Sequence, residues 1–172
     1  MAKTPRSTAR KARPSPQLYE FEVALLSGPL TREFARKNRA ITRTIQILGN
    51  QTLEDLHETI FAAFDRYDEH LYEFQIGGKR PHDRNARRYG LTQVQEENDH
   101  DGDVTTTTID SLGLKKNAIF SYWFDFGDDW WHQIDLLSID DEFPEADYPR
   151  VIRMKGKSPP QYPNMEDEEE DE

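Results

Sequence analysis

At 172 residues the chain has room for one domain of ordinary size. It has no cysteine, which excludes a disulfide framework, a thiolate nucleophile and a Cys-ligated zinc site. No stretch approaches the roughly 18 continuous apolar residues of a membrane span, and the N-terminus lacks the apolar core of a secretory signal, so a cytoplasmic location is expected. The net charge of −11 is unevenly spread: Lys3, Arg6, Arg10, Lys11 and Arg13 lie at one end and the acids Glu166 to Glu172 at the other, leaving −9 on the body between them. A body of that sign repels phosphate backbones, so nucleic acid is expected as a partner only through the basic N-terminal arm.

Residues 1–16 mix Pro, Ser, Thr and cations without periodicity and read as a disordered basic tail; 17–163 read as a single domain and 164–172 as a disordered acidic tail. From Tyr19 the pattern alternates, with Tyr19, Phe21, Val23 and Leu25 on one face and Glu20 and Glu22 on the other, which predicts a half-buried strand. Ser27-Gly28-Pro29 breaks it, a polar loop runs to Arg39, and Ile41, Ile45 and Ile47 predict a second strand antiparallel to the first. Thr52 stands at an N-cap position with Asp55 three residues on, and Leu53, Leu56, Ile60, Ala63, Phe64 and Tyr67 recur at helical spacing. This predicts one long amphipathic helix packed on the sheet. His70, Tyr72, Phe74 and Ile76 alternate before Gly77-Gly78, completing a strand–strand–helix–strand, β-grasp-like opening.

Residues 79 to 104 read as a long polar excursion, Arg-rich and then acid-rich, with a short element near Tyr89 to Val94. Thr105 to Thr108 predicts a short strand and Ser111 to Leu114 a turn of helix. Ala118 to Phe126 and Trp130 to Ile139, joined by Gly127-Asp128-Asp129, predict an aromatic hairpin at the centre of a mixed, largely antiparallel sheet, and Arg150 to Lys155 an edge strand. The fold class expected is therefore α+β.

Two segments carry a family resemblance. Thr52 to Phe74, TLEDLHETIFAAFDRYDEHLYEF, resembles the Thr-Leu-x-x-Leu-His helix and His-Leu-x-x-Phe strand of the plasmid pRiA4b ORF-3-like family, and Tyr122 to Ile134, YWFDFGDDWWHQI, resembles its Asp-Phe-Gly-Asp hairpin with the following Trp and His. The resemblance covers about residues 18 to 163. The chain departs from it in the long basic loop from Ser27 to Arg39, in Ile41-Thr42-Arg43-Thr44 where relatives carry Trp-Arg-Arg, and in its Pro-rich ending with the acidic run. Membership implies an α+β fold and association with plasmids and mobile elements, with no established biochemical activity. A resolvase label carried by some relatives finds no matching serine or tyrosine constellation here.

Asp125-Phe126-Gly127 has no phosphate loop or other kinase motif beside it, and a Gly-Asp turn accounts for Gly127-Asp128-Asp129. The candidate binding residues are His57, His70, Asp125, Asp128, Trp130 and His132. An imidazole with a neighbouring carboxylate serves as ligand or acid–base pair, but no spacing of the HExxH kind makes this set specific. The favoured reading of these residues is structural, with His57 and His70 half-buried and bonded to backbone carbonyls where helix meets strand, and Asp125 and Asp128 shaping the turn. No catalytic residue, metal or cofactor is assigned. The leading expectation is a non-enzymatic interaction or regulatory module with an unknown protein partner and no membrane partner. A metal-dependent or hydrolase-like enzyme using His70, His132, Asp125 and Asp128 is one alternative; nucleic-acid binding by the basic arm with Arg80, Arg84, Arg87 and Arg88 is another.

Overall fold

The structure, a computed structural model, describes residues 16–92 and 100–166. The basic tail up to residue 15, the end of the expected element at Val94 and the acidic run from residue 167 lie outside the described residues. The elements in order are β1 (Leu18–Ser27), α1 (Arg32–Lys37), β2 (Thr42–Leu48), α2 (Leu53–Ala63), β3 (Tyr72–Ile76), β4 (Arg87–Gly90), β5 (Gly102–Asp103), a 3₁₀ turn (Asp110–Leu112), β6 (Ile119–Phe124), β7 (Trp130–Asp140) and β8 (Arg150–Lys155). The strands form one eight-stranded sheet in the order β5-β4-β3-β6-β7-β1-β2-β8. Every pairing is antiparallel except that of β4 with β5, so the sheet is mixed and the β6–β7 hairpin stands at its centre.

One face of the sheet is the core. Phe21 and Val23 of β1, Ile45 and Ile47 of β2, Phe74 of β3, Phe120, Tyr122 and Phe124 of β6, and Trp130 and Ile134 of β7 are all buried. They cluster with Leu53, Leu56 and Ile60 of α2. Each such side chain contributes roughly 1.5–3 kcal/mol on burial. Gly28 makes one approach possible: a Cβ there would lie 2.1 Å from the Trp130 ring.

Several expectations need correction. The long helix is three turns, not the run to Tyr67: α2 has 11 residues. It stops because Asp65 adopts φ 53°, and the Arg66 and Asp65 amides donate to the Phe61 and Ala62 carbonyls in a Schellman closure. Phe64 stays buried as the capping residue, whereas Tyr67 is 72% exposed. A second short helix, α1, occupies the polar loop after Pro29, with the Thr31 hydroxyl accepting from the Phe34 amide at 3.1 Å. The strand expected at Thr105 to Thr108 is a turn closed by Asp103, whose Oδ1 accepts from the Thr105 amide at 2.8 Å and whose carbonyl accepts from the Thr107 amide at 3.0 Å; Thr108 alone makes a β-bridge, antiparallel with Thr52. The opening runs strand–helix–strand–helix–strand, because α1 intervenes between β1 and β2, and β6 and β7 separate β3 from β1, unlike a compact β-grasp module.

Candidate functional site

The six sequence-predicted residues fall around the end of α2 and the hairpin turn, in three separate environments. His57 is buried within α2: its Nδ1 lies 2.5 Å from the Tyr122 hydroxyl and its Nε2 2.7 Å from Glu69 Oε1, both at hydrogen-bond distance. Its ring stacks on Tyr72 with centroids 3.5 Å apart. His70, just before β3, lies at a more open corner, where its Nε2 is 2.7 Å from the Tyr162 hydroxyl and 3.4 Å from Asp125 Oδ2. The Tyr162 hydroxyl in turn donates to Asp68 at 2.5 Å. Asp125 also shapes the turn, since its Oδ1 accepts from the Gly127 and Asp128 amides at 3.1 and 3.2 Å. His57 and His70 are thus bonded to side chains, not to backbone carbonyls.

His132 and Trp130 face the core. His132 is 1% exposed, and burial together with the nearby Arg66 guanidinium pushes its pKa down to about 3, so it is neutral at physiological pH. The Arg66 guanidinium lies 3.9 Å over the Trp130 ring. The histidines are kept apart by packed rings: Phe124 lies between the neighbourhoods of His57 and His70, and Phe64 and Tyr122 stand against His132. Among the described residues no three His, Asp or Glu side chains converge as metal ligands. Asp125 and Asp128 lie within electrostatic reach of Arg66, and Asp125 but not Asp128 stands within ion-pair distance of His70 among the described residues.

The opposite face of the sheet carries a second constellation that sequence reasoning missed. Strand alternation turns Glu73 and Gln75 of β3, Trp123 of β6 and Trp131 of β7 away from the α2 side. Glu73 is nonetheless 1% exposed, because Arg88 closes over it with two bonds, Nε to Oε1 at 2.7 Å and Nη2 to Oε2 at 2.9 Å. Gln75 adds a bond at 2.9 Å and His100 one at 3.0 Å. Burial alone would raise the Glu73 pKa, but these donors outweigh it and hold the carboxyl below its ordinary range. Gly90 opposite makes room, since a Cβ there would fall 2.6 Å from His100 Nε2.

Beside this pair the loop after β3 folds over the sheet. Asp83 ties it, accepting from the Lys79 and Asn85 amides at 2.9 Å each. His82 takes φ 58°, its amide donates to Gln75 Oε1 at 2.7 Å, and its ring meets the edges of Trp123 and Trp131 at 4.8 and 4.7 Å. The two indoles stack at 4.9 Å and 7°, and Phe126 covers the other side of Trp123 at 4.1 Å. An open pocket of about 430 Å³ results, lined by Gln75, His82, Asp83, Arg84, Ala86, Arg88 and Trp123. The signal for it in the sequence was the dense cation run Lys79 to Arg88 following a strand with Glu73 and Gln75 at alternate positions. Of the loop cations named with the nucleic-acid alternative, Arg80, Arg84 and Arg87 are exposed, Arg87 also donating to the Leu112 carbonyl at 3.1 Å, and Arg88 is held by Glu73.

An α+β sheet of this design is known from crystallography: the fold is similar to that of the protein of unknown function MM3350 from Methanosarcina mazei Go1, with a TM-score of 0.61 and 23% identity over 81% of this chain and 70% of that one. The profile of the Plasmid pRiA4b ORF-3-like protein family matches residues 30–163, and the chain belongs to that family. The matched span begins after β1, later than the expected start near residue 18. No curated protein matches the chain. Among the described residues no helix is long and apolar enough to cross a membrane.

Proposed function

We propose that the chain is a binding module that takes an anionic group, carboxylate or phosphate, in the pocket on the outer face of the sheet. The observation that carries this reading is the 430 Å³ pocket set between exposed Arg84 and the Glu73-anchored Arg88. A guanidinium fixed by a buried carboxylate meets a ligand without first losing rotamer freedom. The left-handed backbone at His82, held by Gln75 and the indole pair, is the kind of local strain that surrounding structure maintains at binding sites. The loop concentrates Lys79, Arg80, Arg84, Arg87 and Arg88 on a chain whose net charge is −11, so its field differs from that of the rest of the surface. Both faces of Trp123 are already covered, which disfavours base stacking and with it a single-stranded nucleic acid. The separation of the histidines by packed rings favours binding over metal or hydrolytic chemistry. The expected interaction or regulatory role, its plasmid or mobile-element setting and a cytoplasmic location remain parts of this proposal.

Trp123 in the pocket wall supplies the test. Titration of the full chain with inorganic phosphate and with a short glutamate-rich peptide should change tryptophan fluorescence saturably, and Arg84→Glu should weaken the response at least about tenfold. The response of one titrant and not the other identifies the anion's source. A flat titration with both, or an unchanged response in the Arg84→Glu protein, would refute the reading.

A further inference from the structure

The sheet ends in an edge built unlike its other one. At the far end β5 spans two residues, Gly102–Asp103, and offers little backbone to pair with. At the near end β8 runs six residues, Arg150–Lys155, and among the described residues pairs on one side alone, with β2. Its register with β2 sets Met154 opposite Arg43 and Val151 opposite Ile45, on the α2 side, and Arg153 and Lys155 opposite Thr44 and Thr42, on the outer side. A shift between Thr44 and Ile45 leaves Ile152 as the extra residue of a bulge. Three apolar side chains of this edge are open to solvent: Val151 at 36%, Ile152 at 40% and Met154 at 66%. Between β8 and α2 lies a groove of about 320 Å³ lined by Asp55, Glu58, Thr59, Ala62, Pro149, Arg150 and Val151.

We infer that β8 is a docking edge for an extended segment of a partner protein that alternates apolar and acidic residues. Added as a further strand, such a segment satisfies the outward backbone groups of β8 and lays its apolar side chains along Val151 and Met154 toward the α2 groove. Its acidic side chains then stand across from Arg153 and Lys155 on the outer side. Charge complementarity selects this occupant. A second copy joined through the same strand would bring another Arg150, Arg153 and Lys155 alongside the first set, and like charges across a strand pair are unfavourable. This surface is remote in the strand order from the pocket on β3 and β4, so the inference stands apart from the proposed function.

The test uses the full chain and two short synthetic peptides, one alternating valine with aspartate and one alternating valine with lysine, followed by amide NMR and by calorimetry. The expected result is amide shifts and slowed hydrogen exchange confined to residues 150–155 with the acidic peptide. The double variant Arg153→Glu, Lys155→Glu, whose changes are at exposed positions, should lose at least about tenfold in affinity for it and prefer the basic peptide. Equal binding of both peptides, or shifts elsewhere, would overturn the inference. So would two other results: a concentration-dependent dimer that protects these amides, which assigns the edge to a second copy, and amides already protected in the free monomer, which assigns it to the chain's own acidic run.

Discussion

Arg66 is 7% exposed, and neither of its terminal nitrogens has a hydrogen-bond partner among the described residues; the Trp130 ring beneath it supplies the main compensation. Burial lowers its pKa to about 10, with Tyr122, Asp125 and Asp128 opposing, so it remains a cation at neutral pH. Nothing in the sequence distinguished it, because it follows the helix in a polar stretch where a cation is ordinary. Glu73 escaped notice for a similar reason: alternation assigns it to the polar face, and only the closure of Arg88 and His100 over it makes that position buried. His132 was legible as a special residue, but its neighbours decide its chemistry. Its pKa falls from 6.5 to about 3 in the fold, so below pH 6.5 the unfolded chain binds a proton that the native chain excludes. Stability is then lost as pH falls from 6.5 toward 3 through this one group. Urea denaturation across that range should show the decline, and His132→Phe should flatten its upper part. An unchanged slope would mean that His132 is accessible to protons.

At the scale of elements, the strands with one buried face were the readable ones. Tyr19, Phe21 and Val23 against Glu20 and Glu22 gave β1, because burial on one side imposes a period of two on the residues themselves. The β6–β7 hairpin was legible instead from its nearly continuous apolar runs on either side of the Gly127-Asp128-Asp129 turn, where Ser121 and Trp131 are buried on the second face as well. The end of α2 was not readable, since Phe64 keeps helical spacing while serving the reversal, and aspartate stands where glycine usually marks a left-handed stop. α1 and β5 are too short to carry a period, and their boundaries are set by Thr31 and by contacts with distant segments. The start of α2 was read correctly: Thr52 Oγ1 accepts from the Asp55 amide at 3.2 Å, and Asp55 Oδ2 from the Thr52 amide at 2.9 Å. Thr52→Ala should therefore cost about 1 kcal/mol and lower the melting temperature by roughly 2–4 °C. A scanning calorimetry trace identical to that of the parent would rule out the capping box as a stabilising element.

For the molecule as a whole, a net charge of −11 on 172 residues means that folding compacts like charges. Raising sodium chloride from low ionic strength to about 0.3 M should raise the melting temperature, since the Debye length falls below ~10 Å, while weakening anion binding at the outer pocket. Opposite signs for the two effects in one salt series would separate the global field from that of the loop; a melting temperature that falls with salt would contradict the first. The strand order has a further consequence, which concerns synthesis. β1 lies between β2 and β7, and its pairs with β7 join Leu18 to Asp140 and Val23 to Ile134. A chain emerging from the ribosome can form the β1–β2 hairpin early, but the other side of β1 waits unpaired until more than a hundred further residues have been made. At about 5–20 residues per second that wait lasts several seconds, with Phe21 and Val23 still lacking most of their core neighbours. The earliest of the described strands to be synthesised is thus among the last to be enclosed, and premature termination between β2 and β7 leaves a fragment with an open, apolar strand.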